Sequence, residues 1–420
     1  MSPHLEGPLA REIRKYVEDG HEMPRPPARR HHFVPAFLLA RFAGPCGMRR
    51  GWLRQLDKRS GKPGRTTPND GCFGIDLYTQ ASDDDTNVAI PDTRVEMLFS
   101  IVEKHAAPAL QRLVADPLGL TAEDRQTLSY FLAFQYTRTP PAITDLERTA
   151  QVLADLHTGL SLEHSDFSDT YRTHIDRDAN ESQVEAARRK MLRQFLDGDV
   201  IVRAPNAALF TIVSTADALA EAYYGLEWLV AEADPGVGEF VTSDRALAIV
   251  DPTPKFPWSG DAPASSPSAQ TTVPLDPHHV LVVQSGPPRV GRTTAPRETV
   301  TRINLRTYGW AERFIYGNKQ KTVQDVRTAA KQNRRAVPTP RVAHQVIVEE
   351  ADPDDPTVGR EHLQRGWPRG LWYTGNDGHE RFMAYHVLKP GDRRGNHAAL
   401  VDDLGARGRI SRAPSDPVSG

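Results

Sequence analysis

A chain of 420 residues, 39% hydrophobic and 25% charged, has the composition of a folded protein with a sizeable core, while its 34 prolines and 30 glycines demand long connecting segments. The formal net charge of −2 excludes a surface that coats nucleic acid uniformly, because such binding grows with the number of phosphates neutralised. Two cysteines, Cys46 and Cys72, are too few and too far apart for a zinc ribbon or a disulfide framework, and no apolar run reaches the roughly 20 residues of a membrane span.

Taken in chain order, the amino terminus mixes charges with no apolar signal core, so a cytoplasmic protein is expected. Residues 1–28 read as a flexible arm, with room for a short helix before Met23-Pro24-Arg25-Pro26-Pro27. The stretch 33–42 is dense in apolar residues, has Pro35 near its start and is followed by Gly44-Pro45. It predicts a short buried helix introduced by His31-His32. Strand-like runs follow at 52–57 and 75–79. Between Arg25 and Arg65, eleven Lys or Arg residues stand against a single acid, Asp57. Such a segment is either a solvated hairpin balanced by acids elsewhere or a surface for an anion. In the second case Arg49, Arg50, Arg54 and Arg59 are its contacts to nucleic acid or another phosphate-bearing ligand.

From 92 to 113 the apolar positions Val95, Leu98, Phe99, Val102, Ala106, Leu110 and Leu113 keep helical spacing. A second helix starts at Thr121 as N-cap, with Asp124 three residues on, and stops at Thr139-Pro140-Pro141. Further helix is predicted at 143–158, 181–196 and 208–223. Short β-branched runs at 226–230, 239–242, 247–250, 273–275 and 280–283 predict a small, mostly antiparallel sheet. Residues 299–335 read as helix interrupted near Gly309 and Gly317. Beyond them, 342–349, 371–374 and 382–388 are strand-like, the last two joined by the turn Asn376-Asp377-Gly378, and 391–420 reads as a disordered tail. The expected class is α+β: a mainly helical core over 29–337 packed on a small, mostly antiparallel sheet, with a short C-terminal β-hairpin appendage over 338–390.

The succession His32-Phe33-Val34-Pro35 with Leu38, Leu39 and Phe42, then Gln135-Tyr136-Thr137-Arg138-Thr139-Pro140, then Phe240-Val241-Thr242-Ser243-Asp244, has a recognisable order. With Val273-Pro274-Leu275-Asp276-Pro277 and Asn304 downstream, it resembles the bacterial domain of unknown function 4238 family over about residues 30–320. Arg245-Ala246 departs from that pattern, which tends to carry a small turn pair ending in Pro. The resemblance implies a fold and a set of polar positions; it implies no reaction.

Helical projection sets Gln135 in the apolar stripe of Leu128, Phe131 and Leu132, with Arg138 at its edge. An amide there is costly unless it is hydrogen-bonded. The same projection aligns Glu96 and Glu103 beside Phe99, about 10 Å apart. His32 suits a general base or a metal ligand, and Asp244, ending a strand, suits a metal ligand or an orienter of His32.

Two readings stay open. In the first, a nuclease-like, phosphate-ester-directed enzyme, His32, Glu96, Glu103, Gln135, Arg138 and Asp244 converge on one site. A carboxylate-bound divalent metal or His32 then acts as base, and Arg138 stabilises the phosphate oxygens. In the second, a non-catalytic binding protein, the same residues form a buried polar network and the basic hairpin meets the anionic partner. His278, His279, His379 and His386 read as surface residues. With no phosphate loop, dinucleotide fingerprint, His-Glu-x-x-His or Gly-x-Ser-x-Gly, nucleotide-driven motors, nicotinamide enzymes and α/β hydrolases are excluded.

Overall fold

The computed structural model describes residues 7–19, 28–44, 51–80, 92–163, 167–196, 199–251 without 201, 203 and 205, 268–338, 345–350, 370–374 and 380–388. The first elements are α1 Pro8–Asp19, β1 Arg30–His32, α2 Ala36–Ala40, β2 Leu53–Asp57, β3 Pro63–Thr66 and β4 Phe73–Ile75. A helical stretch follows: α3 Arg94–Ala115, α4 Ala122–Thr137, α5 Pro140–Glu163, α6 Phe167–His174, α7 Glu181–Leu196, α8 Ala207–Ser214 and α9 Ala216–Tyr224. Next come β5 Glu227–Ala233, β6 Thr242–Ser243, β7 Ala248–Val250, β8 Gln270–Pro274, β9 His279–Gln284 and β10 Val290–Ala295. The chain continues through α10 Arg297–Trp310, β11 Phe314–Gly317, α11 Gln320–Gln332, β12 Gln345–Glu350, β13 Gly370–Thr374 and β14 Glu380–Leu388. The class is α+β, with helices outweighing small, mostly antiparallel sheets.

Two compact units divide these elements. The first holds α1 to α4, α8 to α11 and β1 to β11; the second holds α5 from Asp145 onward, α6, α7 and β12 to β14.

In the first unit α3 buries the seven apolar positions that its spacing singles out, together with Ala109. Next to it, α4 is buried on almost every face, which is why its sequence shows no clean polar side. Its start is fixed chemically: the Thr121 hydroxyl accepts the Asp124 N–H at 3.1 Å, and Arg112 donates to the Asp124 carboxylate. At its other end Arg138 is the C-cap, and Pro140 opens α5 from a first-turn position that needs no N–H.

The five-stranded sheet runs β10-β5-β9-β8-β7 and is antiparallel except where β10 joins β5 in parallel. Its core joins Ala231, Phe240, Val280 and Ala295 to Val300 and Ile303 of α10. A four-stranded antiparallel sheet runs β3-β2-β11-β6, and Leu56, Val241 and Ile315 pack there with Val323 and Val326 of α11. In the second unit Leu162, Phe167, Ala179 and Val184 make a core of their own, while β12, β14 and β13 form an antiparallel sheet with β14 in the middle.

Several expectations need correction. Residues 8–19 are no loose arm: Leu9, Ala10 and Tyr16 are buried, and the Tyr16 hydroxyl donates to the Arg94 carbonyl at 2.9 Å. The expected single core over 29–337 is interrupted, because the stretch from Asp145 through α7 belongs to the second unit. The run at 75–79 is strand only as far as Ile75, since Asp76 turns the backbone to a φ of 53°. Strands β1, β3, β10 and β11 have no counterpart in the sequence reading, and β11 lies where an interrupted helix is expected. Cys46, Arg49, Arg50, the turn at 376–378 and the tail at 391–420 lie outside the described residues.

Candidate functional site

Arg138 is the centre of the cluster. Its side chain is 1% exposed, and its position at the end of α4 aims it back at α3 and at the segment before α2. Nη1 donates to Oε1 of Glu103 at 2.8 Å, and Nε donates to the Phe33 carbonyl at 3.1 Å. Gln135, with its amide oxygen facing the guanidinium, accepts from Nη2 at 2.6 Å and from Nε at 2.7 Å. The Phe99 ring lies under the guanidinium, 5.2 Å from centroid to carbon. A buried cation is tolerated here because an anion and two neutral oxygens meet its donors.

The backbone of the same residue is engaged as well. Tyr78 donates its hydroxyl to the Arg138 carbonyl at 2.7 Å, which satisfies one of the orphan acceptors at the end of α4. Burial pushes the Tyr78 phenol far up, so it stays a donor. Tyr78 is in turn tied to His31, whose Nδ1 accepts the Tyr78 backbone N–H at 2.9 Å while Nε2–H donates to the Ala28 carbonyl at 2.8 Å. Those two bonds define a neutral imidazole, and burial lowers its pKa in the same sense. The rings of His31 and Tyr78 stack 5.5 Å apart, and Phe99 meets Tyr78 edge-on.

Glu96 and His32 lie within electrostatic reach of this centre. Burial pushes the Glu96 carboxyl up to about 8, Glu103 adds repulsion, and the attraction of Arg138 only partly offsets them. Among the described residues its buried Oε2 has no hydrogen-bond partner. His32 is half-buried, its pKa lowered chiefly by burial, and Nε2–H donates to the Asn69 carbonyl at 3.1 Å.

Asp244 has other company. Its carboxylate accepts the backbone N–H groups of Glu312, Arg313 and Phe314 at 2.8, 2.7 and 2.8 Å, closing the turn that leads into β11. Burial raises its pKa, and the three amides oppose the rise. Among the described residues no hydrogen bond or ion pair joins Asp244 to His32, Arg138 or either glutamate. Of the six residues singled out, the fold thus gathers Glu103, Gln135 and Arg138 by direct bonds and Glu96 and His32 by proximity. Among the described residues no group of three His, Cys, Asp or Glu side chains is placed to hold a metal ion.

The sequence reading misses three members of the cluster: the Phe33 carbonyl, Tyr78 and His31. A main-chain acceptor leaves no mark on a sequence, and Tyr78 comes next to Arg138 only through a tertiary contact across 60 residues. His31 has a signal in its pairing with His32, but strand alternation decides which of the two turns inward, and β1 buries His31.

The basic hairpin is a separate feature of the same unit. Arg54 of β2 and Arg65 of β3 stand directly opposite each other, and both are exposed. Arg65 covers the ring of Trp52, itself 49% exposed, at 4.5 Å. Arg59 at the turn instead pairs with Glu312 at 2.7 Å, and Lys58 donates to the Gly309 and Ala311 carbonyls at the end of α10.

With this geometry in place, comparison with known families gives one match: the model described as a protein of unknown function (DUF4238) fits residues 30–321. The chain belongs to that family. The matched span takes in the whole Arg138 cluster, the hairpin and Asp244, and it ends at the first residues of α11. No curated protein and no solved structure matches the chain.

Proposed function

We propose that the protein is a non-catalytic binding protein for a phosphate-rich polyanion, with nucleic acid the best fit, and that the exposed β2–β3 hairpin is its contact surface. The observation that carries this reading is the register pair Arg54 and Arg65: two exposed arginines face each other across an antiparallel ladder. Like charges placed directly opposite are destabilising unless something anionic lies over them, and among the described residues neither has an ion-pair partner. Trp52, half exposed with Arg65 over its ring, adds an aromatic group beside the charge, the combination that single-stranded nucleic acid meets by stacking. The Arg138 cluster supports the same reading from the other side, since its guanidinium is occupied by Glu103, Gln135 and Phe33 and serves as a buried tie.

Fluorescence anisotropy of labelled single-stranded DNA and RNA across a salt series tests the proposal. The wild-type chain is expected to bind at low salt, and Arg54→Gln with Arg65→Gln to lower the salt slope by about 1.4, roughly 0.7 for each single-strand phosphate no longer neutralised. Absence of retention by the wild type at low salt removes the reading.

One observation favours a second reading, the phosphate-ester enzyme. The Glu96 carboxyl is pushed up to about 8 by burial, and among the described residues its buried Oε2 has no partner, the features of a general acid. Turnover of a phosphodiester that disappears in Glu96→Gln while the fold is retained is the result that establishes it.

A further inference from the structure

The turn between β8 and β9 carries a second constellation, separate from both features above. Asp276 closes that turn: its Oδ1 accepts the backbone N–H groups of His278 and His279 at 2.8 and 2.9 Å. The His279 ring donates Nδ1–H to the same carboxylate, at 2.9 and 3.1 Å from its two oxygens. From the end of α2, Arg41 donates Nη2 to Asp276 at 3.0 Å and Nε to the Leu275 carbonyl at 2.8 Å. Burial works against the charged carboxyl, but His279, the turn amide and Arg41 together hold Asp276 below its ordinary value.

That arrangement fixes the tautomer of His279. With Nδ1–H committed to Asp276, the lone pair is on Nε2, and among the described residues no hydrogen bond engages Nε2. The His279 side chain lines an open cleft of about 620 Å³ together with Arg41, Asp276, His278, Asn318 and Lys319. Lys319 is largely exposed and pairs with Glu239 at 2.5 Å, which leaves donors of its ammonium for a ligand. Lys319 is also the N-cap residue of α11, and its own side chain makes no capping bond there. Arg41 lines the cleft as well, and among the described residues no hydrogen bond engages its Nη1.

We propose that this cleft binds the phosphate group of a small phosphorylated molecule as its monoanion: Lys319 and Arg41 donate to its oxygens, and its P–OH donates to the Nε2 lone pair of His279. The hairpin offers two exposed arginines side by side on paired strands, whereas here polar side chains line a cleft of small-molecule size. Asp276 acts through others: it is a positioning residue that holds His279 and Arg41 toward the cleft.

The test uses the full chain with two probes, inorganic phosphate and phenyl phosphate, so that a free anion and a monoester are told apart. Binding is followed by calorimetry. Acylation of His279 by diethylpyrocarbonate, a reagent for unprotonated imidazole nitrogen, is mapped by mass spectrometry. Saturable binding of at least one probe in the millimolar range or tighter is expected, with protection of His279 that follows the same saturation curve. His279→Gln and Lys319→Gln, which leave Asp276 its backbone amides and Arg41, are expected to weaken binding by about tenfold each while circular dichroism shows the chain still folded. The Arg54→Gln and Arg65→Gln variant is expected to bind both probes as the wild type does. Unsaturable binding, failure of both probes to protect His279, or affinity unchanged in both His279→Gln and Lys319→Gln overturns the proposal.

Discussion

Arg138 and the pair Arg54 and Arg65 are the same residue type in opposite surroundings. Arg138 is buried, and its guanidinium is bonded to a carboxylate, an amide oxygen and a carbonyl. Arg54 and Arg65 are exposed and face each other, with the Trp52 ring against Arg65. A guanidinium whose three nitrogens meet buried acceptors is a cross-link; one that is exposed keeps its donors for solvent or a partner. The charge asymmetry visible at 25–65 is therefore meaningful only once the partners of each cation are known.

The contrast predicts effects of very different size. Arg138→Ala leaves Glu103 charged and Gln135 unpaired beside a hydrophobic face, and is expected to cost about 3 to 5 kcal/mol in urea unfolding. Arg138→Lys is expected to recover only a fraction of it, because a point charge cannot reach three acceptors set around a planar fork. A loss under about 1 kcal/mol for Arg138→Ala breaks the comparison and returns Arg138 to the pool of ligand-binding groups.

A smaller effect is expected from pH. Unfolded, the Glu96 carboxyl ionises near its ordinary 4.5; folded, burial pushes it up to about 8, so across that window the folded state holds more protons. The stability that Glu96 contributes is thus complete at acid pH and is lost as pH rises toward 8. Between those limits the wild type is expected to lose about 1 to 3 kcal/mol that Glu96→Gln retains, read from denaturation midpoints at a series of pH values. Identical pH profiles for the two proteins show that Glu96 is solvated and ionised.

The smallest effect belongs to Arg59. Its pair with Glu312 is exposed on both sides, 67% and 50%, and Arg59→Gln is expected to change stability by no more than about 0.5 kcal/mol. Thermal unfolding at low and high salt measures it, and a larger loss places Arg59 with the buried cross-links.

What is legible in the sequence is what depends on local periodicity and caps. The seven apolar positions of α3, the Thr121 cap and the placing of Gln135 and Arg138 on a shared helix face all follow from spacing of three or four residues. What stays hidden depends on partners far along the chain. Strand β11 pairs with β2 across more than half of the sequence, and its four residues have no pattern of their own that separates them from the helices on either side. A strand-end carboxylate is a common ligand, which is why Asp244 is expected beside His32, yet the amides that hold it are 68 to 70 residues away. His279 reads as a surface residue since nothing in a His-His pair tells that an aspartate three residues earlier folds back onto the ring.

The four-stranded sheet ends at β3, whose outer rim has no neighbouring strand among the described residues. An open rim is a template on which a second chain can pair. Here Pro63 has no N–H to give, Gly64 weakens the strand, and Arg65 brings a charge that an identical rim repels. The arginine proposed above for recognition thus has a second consequence: together with Pro63 and Gly64 it makes this rim a poor template for an identical chain.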